Sequence, residues 1–168
     1  MMLSDKTSEA LDYLVGAYFD LNRTFDRAVS VMEVKFAMPN AANIIHYRLA
    51  HLWPLMADVV SDFKHQWNVT TVYPETHRDA RDYQNLEDMM AALLKETLDV
   101  YEIIKQAYAI AKEESDFNAN AMLQELMRDM NKVVAQVVVL DDKAKQIPTD
   151  FDNYDRHIDS WGIVGIEL

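Results

Sequence analysis

Between Gly16 and Gly162 the chain contains no glycine. Tight hairpins between β-strands lean on glycine for backbone angles with φ above zero. An all-β architecture with many such turns is therefore ruled against. Ala, Leu, Met, Glu, Lys and Gln fill much of the interval, and these residues lose little on entering a helix. The fold class read from this is all-α.

The clearest helical text runs from Asn85 to Ile147. Asn85 is placed to cap free N–H groups, and Asp88 falls in the first turn, where a negative charge is favourable. Met90, Leu94, Thr97, Tyr101, Ile104 and Tyr108 follow at intervals of three or four, on one helical face. The pattern stops at Glu114-Ser115-Asp116 and resumes with Leu123, Leu126, Met130, Val133, Val137 and Leu140. So short a connection predicts an antiparallel pair. Residues 4–36 read as an earlier helix, with Ser4 or Thr7 as cap and a stripe of Leu11, Leu14, Tyr18, Phe25, Val29, Met32 and Phe36. Pro39 and Asn40 mark a turn. A second helix runs from about Ala41 to Trp67 through Ile45, Leu49, Leu52, Met56, Val59 and Phe63, with Pro54 expected to kink or split it.

Residues 68–84, NVTTVYPETHRDARDYQ, are polar, aperiodic and carry Pro74. They form a long link between two helical hairpins. Helices of roughly 25–30 residues make rods of about 40 Å, and a link of this size can travel much of that length. The expected architecture is one domain: a four-helix bundle over residues 1–147 with a long crossover between helices 2 and 3, then a tail over 148–168 lying on the surface or on a neighbour. Cysteine is absent, which removes disulfides and thiolate metal sites. No apolar run approaches membrane-spanning length, and no basic-then-apolar pattern opens the chain. A soluble cytoplasmic protein without a membrane partner is the expectation. The formal net charge of −12 repels phosphate backbones, so broad DNA binding is not expected unless a local patch overrides it.

The hairpin LEDMMAALLKETLDVYEIIKQAYAIAKEESDFNANAMLQELMRDMNKVVAQVVVLDDKAK resembles the second hairpin of ferritin-like proteins, and the link before it is similar to that of the Dps-type mini-ferritins. The likeness covers roughly residues 4–146. It implies a metal-oxidising bundle, iron as the metal, and assembly into homo-oligomers, from a dimer to a hollow shell. The ligand pattern it implies is a Glu on each of two helices and Glu-x-x-His on each of the other two. This sequence has no Glu-x-x-His. Glu96 stands near the middle of helix three, where a lone Glu belongs. Asp129 stands near the middle of helix four, but Lys132 occupies the place of the following histidine. Helix one offers Asn22, Asp26 and Glu33, and the middle of helix two offers only Trp53 and Pro54. An intact intrabundle di-iron set is thus not supplied.

The mini-ferritin likeness implies a different site, between subunits. His46, His51, Asp58, Asp62 and His65 fall in that neighbourhood, although the histidine-tryptophan pair late in helix one is replaced by VSVMEVKF. Relative to His51, residues 58, 62 and 65 stay within roughly 40° of one line at about 100° per residue. That line lies more than about 100° from the apolar one. His51, Asp58, Asp62 and His65 are therefore either a solvated face or half of an intersubunit metal site. His46, on the opposite flank, reads as a helix-boundary histidine. Glu96, flanked by Met89, Val100 and Ile103, needs a partner: a metal, a lysine or a tyrosine hydroxyl. The methionines read as core filler, and His77 and His157 as loop and tail residues. No nucleophile triad, phosphate loop or nucleotide fingerprint is present. The N-terminal MMLSDKTSEA has one lysine, so nucleic acid is not an expected partner. Two functions remain: iron handling in oxidative stress with a weak ferroxidase site, or a non-enzymatic scaffold acting through self-association or a protein partner.

Overall fold

The computed structural model describes residues 3–168. Its elements are α1 (Asp5–Val34), α2 (Pro39–Ile45), a π-helical turn (His46–Ala50), α3 (Leu52–Gln66), α4 (Leu86–Glu113), α5 (Phe117–Gln146), α6 (Phe151–His157) and a 3-10 turn (Ile158–Trp161). No strand occurs among the described residues. Ser4 caps α1, its hydroxyl accepting from the Thr7 N–H at 3.1 Å. Asn85 caps α4, its side-chain oxygen accepting from the Asp88 N–H at 2.8 Å. No helix among the described residues is long and apolar enough to cross a membrane.

Four rods pack as two hairpins, α1 with α2–α3 and α4 with α5. α3 and α4 run in the same direction, so the chain has to travel back along the bundle between them. The polar link does this along α1. Asp12 accepts from the Val72 N–H at 3.0 Å and Asp20 from the His77 N–H at 2.9 Å, and Arg27 donates to the Arg81 carbonyl at 2.7 Å. Lys35 closes the series on Asp82. From Asp12 to Arg27 is about 22 Å at 1.5 Å per residue. Gly16 lets this strap lie close: a Cβ there would stand 2.6 Å from Cγ of Pro74.

The second rod breaks earlier than Pro54 alone implies. The deviation is the π turn ending at Ala50, and Pro54 sits in the first turn of α3, where proline is tolerated. Pro54 has no N–H for the Ala50 carbonyl, its i−4 partner, and its ring crowds that oxygen. Asn22 of α1 supplies the donor instead, its Nδ2 lying 3.0 Å from the Ala50 oxygen. The wide π turn also rotates the inward face of α3. Trp53, Met56, Ala57, Val60 and Lys64 are buried, whereas Val59 and Phe63, expected in the core, are only half-buried. Asn22→Ala leaves the Ala50 carbonyl without its donor. A loss of about 1–3 kcal/mol in urea unfolding is expected; a change under about 0.5 kcal/mol would show that Asn22 does not hold this break.

The last residues are not a surface tail. α6 packs on α2, and Tyr154, Ile158 and Ile163 are buried in the core. Phe151 stacks on Phe36 at 4.3 Å between ring centroids, and the Tyr154 hydroxyl donates to the Leu140 carbonyl at 2.8 Å. Beyond Gly162, which takes φ 73°, the Gln136 side chain accepts from the Val164 and Gly165 N–H groups. Apolar residues in 151–163 needed a surface, and the end of their own bundle provides it.

Candidate functional site

At the middle of the bundle α1 presents Tyr18 and Phe25, α3 presents Trp53 and Met56, and α5 presents Met130 and Val133; all are buried. Tyr18 stacks on Trp53 with centroids 6.4 Å apart, and Phe25 meets Trp53 edge-on at 5.2 Å. These rings fill space that a metal centre would need. The only polar atoms they bring are the Tyr18 hydroxyl and the Trp53 Nε1, a weak ligand and a non-ligand. Neither has a hydrogen-bond partner among the described residues. Burial, and then the charge of Asp129, push the Tyr18 hydroxyl far above its ordinary pKa, so it stays protonated. Asp129 itself is partly buried and lies 3.5 Å from Lys132 on its own helix.

Glu96 has its partner in an arginine of the strap. Arg81 Nη1 lies 2.5 Å from Glu96 Oε1, and Nη2 lies 3.3 Å from Oε2. The same guanidinium reaches Asp79 at 2.6 Å, and the buried Thr24 hydroxyl of α1 donates to Glu96. Burial raises the Asp79 carboxyl, but hydrogen bonds and charge from Arg81 outweigh this and hold it below the usual range. Two carboxylates thus share one fixed cation. Sequence reasoning weighs lysine and tyrosine for this role and misses Arg81. The alternating charges of Arg78-Asp79-Ala80-Arg81-Asp82 are the available signal, since such runs pair with something.

His51, at the N-cap of α3, and Asp58, Asp62 and His65 along it are all exposed, and none has an ionic partner among the described residues. The His51 ring meets that of His46 at 4.4 Å, and His46 Nδ1 lies 3.4 Å from Asp26 Oδ1 of α1. His46 is therefore tied to α1 while the stripe faces outward. Glu96 lies under the strap, and Asp129 lies on α5. No three histidine, aspartate or glutamate side chains among the described residues form a group able to hold a metal ion. The residues at the bundle centre do not fit a di-iron centre.

The sequence reading does not anticipate a fully buried charge on α3. The Lys64 side chain is fully enclosed, its ammonium paired with Asp12 and 3.3 Å from the Ser8 carbonyl. It sits eleven positions after Trp53, on the line that faces α1, which only the π turn's rotation reveals.

Residues 56–147 match the ferritin-like domain family. With that match extending over more than half of its length, the chain belongs to this family. Among solved structures it is similar to an open pore ferritin from the hyperthermophilic archaeon Archaeoglobus fulgidus, with a TM-score of 0.82 and 15% sequence identity over 92% of this chain and 95% of the other. At that identity the likeness carries the fold alone. No curated protein sequence matches the chain.

Proposed function

We propose that the protein is a non-enzymatic ferritin-like subunit that works through self-association. The observation that carries this reading is the rebuilt centre: Trp53, Tyr18 and Phe25 stand where ligands would converge, and Arg81 occupies Glu96. The kinship with ferritins supports assembly. So does apolar surface on α1 and the strap, where Tyr13, Val72 and Tyr73 are each more than half exposed.

A second reading keeps iron handling and stress protection, with iron as substrate at a Dps-like site between subunits. What favours it is the outward, unpaired set His51, Asp58, Asp62 and His65 on α3, which a second copy's acids are able to complete. Acidic surface attracts Fe(II) in either case.

Size-exclusion chromatography with light scattering, followed by anaerobic Fe(II) loading and admission of air, separates the two. For the scaffold we expect an oligomer that oxidises Fe(II) at the buffer rate, with Asp58→Ala/Asp62→Ala indistinguishable from wild type. A wild-type rate well above buffer, abolished in that double variant, moves the assignment to the intersubunit site. A strict monomer rejects both.

A further inference from the structure

We propose that the groove between α1 and the strap, near Arg23 and Arg78, binds a small anion through its phosphoryl group. The open groove has a volume of about 520 Å³, and Arg23, Asp26 and Arg27 from α1 face Thr76, His77, Arg78 and Asp79 from the strap. The other arginines are already engaged. Arg27, Arg81, Arg128 and Arg156 each pair with a carboxylate, and Arg48 donates to the Ile163 carbonyl. Among the described residues only Arg23 and Arg78 have neither an ion pair nor a hydrogen-bonded acceptor, and both line this groove.

Of the acids at the groove, Asp79 is engaged by Arg81 and the nearby Asp82 takes Arg27 and Lys35, whereas Asp26 Oδ1, 3.4 Å from His46 Nδ1, has no hydrogen-bond partner among the described residues; Arg23, Arg27 and Arg78 still outnumber the two lining carboxylates. His77 reaches toward Asp20 at 4.0 Å and is otherwise in water. Beside the carboxylates of Asp26 and Asp79, the guanidinium groups of Arg23 and Arg78, the further N–H groups of Arg27 and the Thr76 hydroxyl give the lining an excess of donors. A guanidinium fork matches the geometry of phosphate oxygens, two at a time. The protein as a whole carries the opposite sign, with a net charge of −12. An extended polyanion lying in the groove would run onto acidic surface within about a Debye length, 8–10 Å. A compact anion avoids that repulsion, so the observations favour inorganic phosphate or a phosphomonoester over nucleic acid.

The test uses the full-length protein with inorganic phosphate and with methyl phosphate, by calorimetry at chloride-matched ionic strength. Wild type, Arg23→Ala/Arg78→Ala and the control Arg128→Ala are compared, with the single variants Arg23→Gln and Arg78→Gln in case the double variant misfolds. We expect saturable binding, one anion per chain, weakened at least about tenfold when both arginines are removed and unchanged in the control. Equal affinity for the two probes identifies the phosphoryl group itself as the ligand; tighter binding of methyl phosphate points to an ester. Absence of saturable binding to wild type, equal affinity in the double variant, or binding of a single-stranded oligonucleotide without either small probe overturns the proposal.

Discussion

Asp12→Ala is expected to cost about 3–5 kcal/mol, the cost of leaving a buried charge without its partner. That is a large part of the 5–15 kcal/mol typical of a whole domain. Lys64 has no exposed side-chain surface, while the Asp12 carboxylate is 16% exposed, so removing the acid strands an ammonium in the interior between α1 and α3. The Ser8 carbonyl at 3.3 Å is its one other acceptor among the described residues. The strap also loses an anchor, because Asp12 accepts from the Val72 N–H. Urea unfolding followed by circular dichroism reads the loss as a lower midpoint. The double variant Asp12→Ala/Lys64→Met separates the two contributions. With an apolar side chain of similar length in place of the ammonium, most of the stability should return, since buried pairs replaced by apolar groups are often neutral or better. What remains missing is the strap anchor. Asp12→Ala within about 1 kcal/mol of wild type would mean that Lys64 reaches water and is not enclosed.

This pair shows where the sequence is readable and where it is not. The α4–α5 hairpin is legible because its signals are local: the Asn85 cap, an unbroken interval of three or four, and a stop at Glu114–Asp116, where Ser115 takes φ 60°. Every residue of the α5 stripe, from Leu123 to Leu140, is buried as its spacing requires. On the second rod Pro54 announces a break, but the phase beyond it depends on a π turn that no residue pattern specifies. Extrapolating the spacing through the break therefore places Val59 and Phe63 inward and overlooks Trp53 and Lys64. The final residues are misplaced for a related reason: their two glycines and several acids read as a tail on the surface or on a neighbour, while the acceptor surface for Tyr154 and Ile158 is built by α2 and α5, far away in sequence. At the bundle centre the missing Glu-x-x-His is plain from the text alone. The partner of Glu96 is not, because Arg81 comes from an aperiodic strap whose path is fixed by its contacts with α1 and α3.

Trp53→Ala carries the other large effect. Trp53 is fully buried, stacks on Tyr18 and meets Phe25 edge-on, so truncation removes the hub of the central cluster. Large-to-small changes of this kind cost about 3–5 kcal/mol, the transfer contribution plus that of the cavity left behind. The lost aromatic contacts add about 0.5–1.5 kcal/mol for each pair. The midpoint of thermal unfolding is expected to fall steeply while far-ultraviolet dichroism at low temperature stays helical, because α4 and α5 carry their own paired face. The same variant tests what the centre is for. If the centre is packed by aromatic rings, Fe(II), Mn(II) and chelators leave the melting temperature of wild type and variant alike unchanged. Metal bound only by the folded state would raise it in proportion to RT ln(1 + [L]/Kd). A melting temperature of wild type that rises with Fe(II) and falls with chelator, lost in Trp53→Ala, would show that these rings shape a metal site after all. Insensitivity to metal together with a large packing loss is what a bundle that replaced its ligands with a hydrophobic core has to show.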